Sequence, residues 1–280
     1  YHGQSLVTSS GLKTGLIYGS IASLISIQSA LKADLVVFAW DTAGSSSWRK
    51  TIYPLYKANR TTPEQDYLNG LVYLKELLAS MGVTQIESEH AEADDLIGQM
   101  AVTTFSDDDV YILSGDQDFY QLITDRITVI SPKLGEVRPA VDGTIPVIKD
   151  KKVIHLRQDQ IISYKCLVGD PADNIPGAVG FGIAAAAKFF AVNDNIDQVI
   201  NGTAKLLNLP AKALSAILIT KPMFPIFKQV ATIKLDAIDK LELPKVSIDK
   251  VKASMLFDLF EFNQFKIRGD QMFKLGGEQC

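Results

Sequence analysis

Apolar positions in the first half of the chain switch repeatedly between a helical and an extended rhythm. Leu16, Ile17, Ile21, Leu24, Ile25, Ile27 and Leu31 recur at helical spacing behind Gly-Leu-Lys-Thr, which predicts a helix over about 14–31. Leu35-Val36-Val37-Phe38-Ala39-Trp40 follows as a buried strand. A helix is expected over about 63–81, closed by Gly82, and then a short strand from Val83 to Glu87. The next helix begins near Ala91 and carries Leu96, Ile97 and Met100. Val110 to Ser114 reads as a strand, 117–123 as a helix, Ile127 to Ser131 as a strand, and 145–155 as hairpin strands. This alternation predicts an α/β domain with a mainly parallel sheet.

Strand signals stop near residue 157. Gln158 to Val168 predicts a helix, Ile175-Pro-Gly-Ala-Val-Gly-Phe-Gly182 a tight turn, and Ile183 to Val192 a second helix. Shorter helices are expected to about 264. The expected division is therefore an α/β domain at 1–157 and a helical region at 158–280, with no internal repeat.

Composition narrows the class without deciding it. A chain of 280 residues that is 47% hydrophobic and 21% charged is an ordinary globular composition. No run of 18 apolar residues suggests a membrane span. Two cysteines, Cys166 and Cys280, cannot build a disulfide framework, and with no recognisable signal peptide the expected compartment is the cytoplasm. Because the chain opens on Tyr1 rather than Met, it is expected to be trimmed at its start. The net charge of -4 looks wrong for a nucleic-acid binder, yet setting aside eight clustered carboxylates leaves a mildly basic remainder.

Those eight are the candidate chemistry. Asp41 ends one apolar run, Asp116 and Asp118 follow another, Glu92, Asp94 and Asp95 open a helix, and Asp170 and Asp173 stand three apart in the helical half. Strand ends converge at one edge of a parallel sheet, so acids placed there crowd together. Two such charges about 4 Å apart repel by roughly 4 kcal/mol at an effective dielectric near 20. Hard divalent cations with oxygen ligands relieve that repulsion. Taken singly, each acid also fits a cap or a turn; the joint pattern is the signal.

Two further segments suit phosphate. Gly177, Gly180 and Gly182 lack side chains, so their N–H groups can approach a phosphate just before a helix N-terminus; a plain packing turn is the alternative. Between 48 and 60, Arg49, Lys50, Lys57 and Arg60 interleave with Trp48, Tyr53 and Tyr56, a mixture for phosphate contacts and base stacking; a solvated face over core aromatics is its alternative. His2, His90 and His155 sit near no cysteine or nucleophilic serine pattern, and no P-loop is present.

Several segments in order resemble the 5′-nuclease (flap endonuclease) family, which includes bacteriophage 5′-3′ exonucleases and the 5′-nuclease domain of bacterial DNA polymerase I. They are Thr14-Gly-Leu-Ile-Tyr-Gly19, Phe38-Ala-Trp-Asp41, Tyr53-Pro-Leu-Tyr-Lys-Ala-Asn-Arg60, Glu92-Ala-Asp-Asp95, Ser114-Gly-Asp-Gln-Asp118 and Val168-Gly-Asp-Pro-Ala-Asp-Asn-Ile-Pro-Gly177. The resemblance covers roughly residues 1–200. It implies a PIN-like α/β nuclease domain followed by a helical helix–three-turn–helix DNA-binding region. It implies Asp41, Glu92, Asp94 and Asp116 as one metal site, and Asp95, Asp118, Asp170 and Asp173 as forming or supporting a second. Two Mg²⁺ ions are expected there, with Mn²⁺ able to substitute, and a monovalent cation at the helical hairpin. Lys57 and Arg60 match catalytic residues that steer the scissile phosphate. Arg49, Tyr56, Gly177, Gly180, Gly182 and Lys188 are the expected DNA contacts, and the region after Arg60 matches an arch for a single-stranded 5′ end.

Two departures stand out. Family members carry a metal-binding Asp on a first strand upstream of Tyr1, so that strand and ligand are expected to lie before this chain. Ile183-Ala184-Ala185-Ala186 stands where Lys and Thr are frequent, which predicts a weaker grip on duplex, with Lys188 a partial substitute. The implied activity is metal-dependent 5′-3′ exonuclease and flap endonuclease action on DNA in replication or repair. The implied substrates are DNA with 5′ flaps, nicks or free 5′ ends, met by a monomer in a bacterial or phage-infected cell. A non-catalytic DNA-structure binder and a PIN-type RNA nuclease are the competing readings.

Overall fold

In the computed structural model, which describes residues 6–42, 44, 45 and 47–267, the periodic segments form where their apolar spacing places them. Helix α1 (Gly15–Leu31) ends at Lys32, whose left-handed backbone turns the chain into strand β1 (Val37–Trp40). The short helix α2 (Ser47–Ile52) leads through turns to Arg60. Helix α3 (Gln65–Ser80) and strand β2 (Thr84–Glu87) follow, joined at Gly82. Helix α4 (Ala93–Gln99) runs into one π-helical turn, after which come β3 (Val110–Leu113), a 3₁₀ segment (Gln117–Leu122) and β4 (Ile127–Ser131). Strands β5 (Gly135–Val137), β6 (Thr144–Lys149) and β7 (Lys152–Arg157) complete the β structure. The remainder is helical: α5 (Ile161–Val168), α6 (Ile183–Phe190), α7 (Asp197–Ile200), α8 (Ala211–Thr220), α9 (Phe224–Ala231), α10 (Lys250–Leu259) and α11 (Asn263–Ile267).

The chain forms two units, and they do not follow the 157 boundary. One takes residues 1–40, 61–87 and 242–280. Its core joins Ile17, Ile21 and Leu24 of α1 to Leu74, Leu77 and Leu78 of α3, and both to Phe257, Phe260 and Phe265 near the C-terminus. Strands β1 and β2 pair in parallel within it, Val37 opposite Thr84.

The second unit takes residues 41–60 and 88–241. Here β3 and β4 pair in parallel, Val110 opposite Ile127, with β5 antiparallel at the edge. Strands β6 and β7 form a separate antiparallel hairpin. Ile112, Val129, Ile145 and Leu156 from these strands share one core with Leu167, Phe189, Phe224 and Phe227 from the helices. The expected parallel ladder is thus present as two pairs, not hydrogen-bonded to one another among the described residues. At 117–123 the expected helix is a 3₁₀ segment, because the Asp116 side chain accepts the Asp118 N–H and tightens the turn.

Between α5 and α6 the chain crosses itself at two glycines. A side chain on Gly177 would meet the Gly169 backbone nitrogen at 2.3 Å, and the Ala178 N–H closes the crossing by donating to Leu167. No described helix is long and apolar enough to cross a membrane.

Candidate metal centre

All eight acids belong to the second unit, where they sort by the element that carries them. At the start of α4, Glu92 holds the N-cap position and Asp94 and Asp95 occupy the first turn, where the helix dipole favours negative charge. Glu92 is 3% exposed and surrounded by donors. Its Oε2 accepts from Arg49 Nη1 at 2.5 Å and from the Tyr56 hydroxyl at 3.0 Å, and its Oε1 pairs with Lys57. Asp95 is fully buried and takes both terminal nitrogens of Arg49, at 2.6 and 2.7 Å. Asp94 has no such partner: Arg49 is 4.0 Å away, and burial pushes its carboxyl up to about 7.

A second group gathers at the end of α5. Asp118 from the 3₁₀ segment meets Asp170 and Asp173 from the loop that follows α5. Lys165 lies between them, paired with Asp118 and, at 2.7 Å, with Asp170. Burial pushes the Asp170 carboxyl up, but Lys165 and the Ala172 N–H outweigh it and leave it below its ordinary value. Burial raises Asp173, with Lys57 and Lys165 opposing it only in part.

Lys57 joins the two groups. Its ammonium pairs with Glu92 and lies 3.9 Å from Asp173. Its backbone is left-handed, φ +54°, and its N–H donates to the Asp173 carbonyl. A non-glycine residue held there stores strain that the surrounding contacts must enforce. Arg60, half-exposed, reaches Asp173 at 3.4 Å and also donates to the Ala172 carbonyl.

The grouping corrects the expected one. Asp95 sits with Glu92 and Asp94 rather than with Asp118, Asp170 and Asp173. Asp41 and Asp116 enter neither cluster among the described residues. Asp41 is exposed and accepts the Ala93 N–H, and Asp116 is exposed and caps its own turn.

Three expected DNA contacts are also displaced. Arg49 is 1% exposed and spent on carboxylates and carbonyls. Tyr56 is equally buried, which raises its phenol pKa, and its hydroxyl serves Glu92. Gly177 is buried where the chain crosses itself, so it packs and cannot meet a phosphate. Gly180, Gly182 and Lys188 are exposed, and Lys212 lies over Gly180. Two cations escaped the sequence reading. Lys165 was signalled only as a lone charge in the apolar α5 segment. Lys149 donates to the Val168 and Gly169 carbonyls at 3.0 and 2.9 Å, and burial lowers its pKa.

The donor set fits divalent cations. In each cluster, one oxygen from each of three carboxylates lies within 4.8 Å of the others. Around a Mg²⁺ ion with bonds of roughly 2.1 Å, neighbouring oxygens stand about 3 Å apart and opposite ones about 4.2 Å, so the carboxylates are near enough to draw together on an ion. Six carboxylates face four cations among the described residues, Arg49, Lys57, Arg60 and Lys165, so acids outnumber bases there. Glu92, Asp94, Asp118, Asp170 and Asp173 are the side chains that could hold ions.

Comparison with known proteins adds independent findings. The family described as 5′-3′ exonuclease, N-terminal resolvase-like domain, matches residues 1–165, and the 5′-3′ exonuclease C-terminal SAM fold matches residues 156–254. A 5′-3′ exonuclease of Bacillus subtilis is 29% identical over 73% of this chain and 68% of its own length. DNA polymerase I of Caldicellulosiruptor bescii is 29% identical over 93% of this chain, which spans only 30% of that polymerase. A thermostable DNA polymerase I of Thermus thermophilus is 35% identical over 66% of this chain and 21% of its own length. Among solved structures, the T5 D15 protein co-crystallised with metal ions has a TM-score of 0.60 over 90% of this chain and 92% of that one, at 19% identity. The catalytic core of Rad2 in complex with DNA substrate has a TM-score of 0.52 over 95% of this chain and 88% of that one, at 13% identity. These two structures share the fold.

Proposed function

The chain belongs to the 5′-3′ exonuclease family, and from that premise we propose that it is a Mg²⁺-dependent nuclease hydrolysing DNA at free 5′ ends and 5′ flaps. One observation carries the reading: two carboxylate groups stand on either side of a single ammonium, Lys57, in one unit. Two bound ions would supply an activated water and stabilise the leaving 3′ oxygen. Glu92 and Asp94 would hold one ion, and Asp118, Asp170 and Asp173 the other, with Mn²⁺ a substitute for either. Asp41, which accepts the Ala93 N–H, and Asp116, which caps the 3₁₀ segment carrying Asp118, are exposed and would reach an ion through water.

The remaining work falls to this chain's own residues. Lys57 would exchange its carboxylate partners for a non-bridging phosphate oxygen, neutralising charge as it develops. Arg60, held by the Ala172 carbonyl, would steer the same phosphate. The exposed Gly180 and Gly182 amides, ahead of α6, would grip the duplex backbone without reading its sequence. Lys188 would add charge at the far end of α6.

The test is cleavage of a 5′-labelled flap DNA as Mg²⁺ is titrated, alongside single-stranded RNA. Cleavage of the flap alone is expected. The double variant Asp118→Asn with Asp170→Asn should bind the flap in Ca²⁺ but not cut it, and full activity in that variant would remove the reading. Flap binding by wild type without Mg²⁺-stimulated cleavage would point instead to a DNA-structure binder.

A further inference from the structure

Arg49 has no donor to spare. Its Nε donates to the Val230 carbonyl at 3.0 Å; Nη1 to Glu92 at 2.5 Å and Asp95 at 2.7 Å; Nη2 to Asp95 at 2.6 Å and the Thr232 carbonyl at 3.2 Å. A guanidinium carries five N–H groups, and these five bonds use them all. Arg49 Cζ sits over the Trp48 ring, 4.3 Å from its centre. Asp95 is equally full. Oδ1 accepts from Arg49 and from the Lys234 N–H at 2.8 Å, and Oδ2 from Arg49 and from Trp48 Nε1 at 3.4 Å. A carboxylate offers about four lone-pair positions, so an ion could reach Asp95 only by displacing one of these donors. Asp94, beside it, accepts only the Asp95 N–H among the described residues.

The carbonyls that Arg49 grips lie at the end of α9 and at Thr232, in the irregular run Thr232–Ile238 that follows it, and side chains hold both in place. Gln121 bonds both the Ala231 carbonyl and the Ile233 N–H, and Gln99 does the same for Ile238. Ile233 presses on α4 at Gly98, where an added Cβ would sit 2.5 Å from Ile233 Cγ2. The run is therefore fixed against the helix that Glu92 caps and whose first turn carries Asp94 and Asp95.

We propose that Arg49 is a positioning residue that fixes Glu92, with Asp95 its structural anchor rather than an ion ligand, and the Val230–Lys234 backbone the frame both are tied to. Arg49 holds Glu92 Oε2 from one side while Lys57 and Tyr56 hold the carboxylate from others, so the rotamer an ion meets is set before binding. This rests on the metal-dependent reading above.

The experiment counts bound Mn²⁺ by electron paramagnetic resonance on the full chain, and adds metal-free melting and flap kinetics. The variants are Asp95→Asn, Asp94→Asn and Arg49→Lys. Asp95→Asn should bind as many Mn²⁺ ions as wild type yet melt lower without metal. Asp94→Asn should lose one ion and melt no lower. Arg49→Lys keeps the charge but cannot fork; it should bind the same number of ions about 10- to 100-fold more weakly, lowering kcat with KM unchanged. The proposal is overturned if Asp95→Asn loses an ion at unchanged melting temperature, or if Arg49→Lys restores wild-type affinity and kcat. Should Asp95→Asn not fold, the Arg49→Lys result decides. A wild type that binds no Mn²⁺ removes the parent reading together with this one.

Discussion

Lys57 concentrates several constraints in one residue. Its left-handed backbone, its bond to the Asp173 carbonyl and its ammonium between Glu92 and Asp173 all fix one position. Lys57→Ala should therefore lower kcat about 10²- to 10³-fold, the range for losing one preorganised donor, with flap affinity little changed; single-turnover cleavage checks this. Asp94 gives a pH signature. Its folded carboxyl titrates at about 7, against an ordinary 3.8, because burial disfavours its charge. Between those values the folded state holds a proton that the unfolded state releases, so stability from this group falls as pH rises through them. The metal-free melting temperature should drop from pH 5 to pH 8, and Asp94→Asn should flatten that slope. The acids were legible in the sequence because residue type and position after an apolar run already imply crowding. Their partners were not: Lys165, Arg49 and Tyr56 are recruited from residues distant in sequence, and no local pattern distinguishes a buried arginine from one that meets DNA.

Elements with strong periodicity, such as α1 and α3, stand where the apolar spacing places them, because burying one face decides their conformation. The run Thr232–Ile238 after α9 has no such period. Glutamine, arginine and aspartate side chains satisfy its backbone groups in place of a strand ladder, and that arrangement exists only after α4 and the 3₁₀ segment are in position. The three-residue β5 is likewise too short to carry alternation. Gly98→Val places a branched side chain where Ile233 already sits. It should destabilise by about 1–3 kcal/mol through overpacking, and weaken Mn²⁺ binding by shifting the Arg49 acceptors; denaturant unfolding and Mn²⁺ titration read the two effects. Gly177→Ala should be more damaging, since its Cβ would strike the Gly169 backbone, and soluble yield followed by thermal melting will register it.

At the scale of the whole molecule, the acids, cations and Gly-rich turn all lie in one unit, while the other is built from three separated stretches of chain around its own aromatic core. Phe257 is buried in that aromatic core. Phe257→Ala should cost about 3–5 kcal/mol in the unit formed by α1, α3 and α10, leaving Mn²⁺ affinity measured below the melt unchanged. The sequence pattern suggested a cut near 157 because secondary-structure type changes there. It could not reveal that the last helices return to the first, since such pairing depends on which apolar faces meet. That return has a consequence for how the protein is made. As the chain leaves the ribosome, α1 and α3 emerge without the aromatic side chains that complete their core, since Phe257, Phe260 and Phe265 are translated 177 to 185 residues after α3 ends. Throughout that interval the nascent chain carries an unfinished hydrophobic surface, so an arrest before residue 250 leaves a natural client for chaperones while the acidic unit's residues, 41–60 and 88–241, are already synthesised.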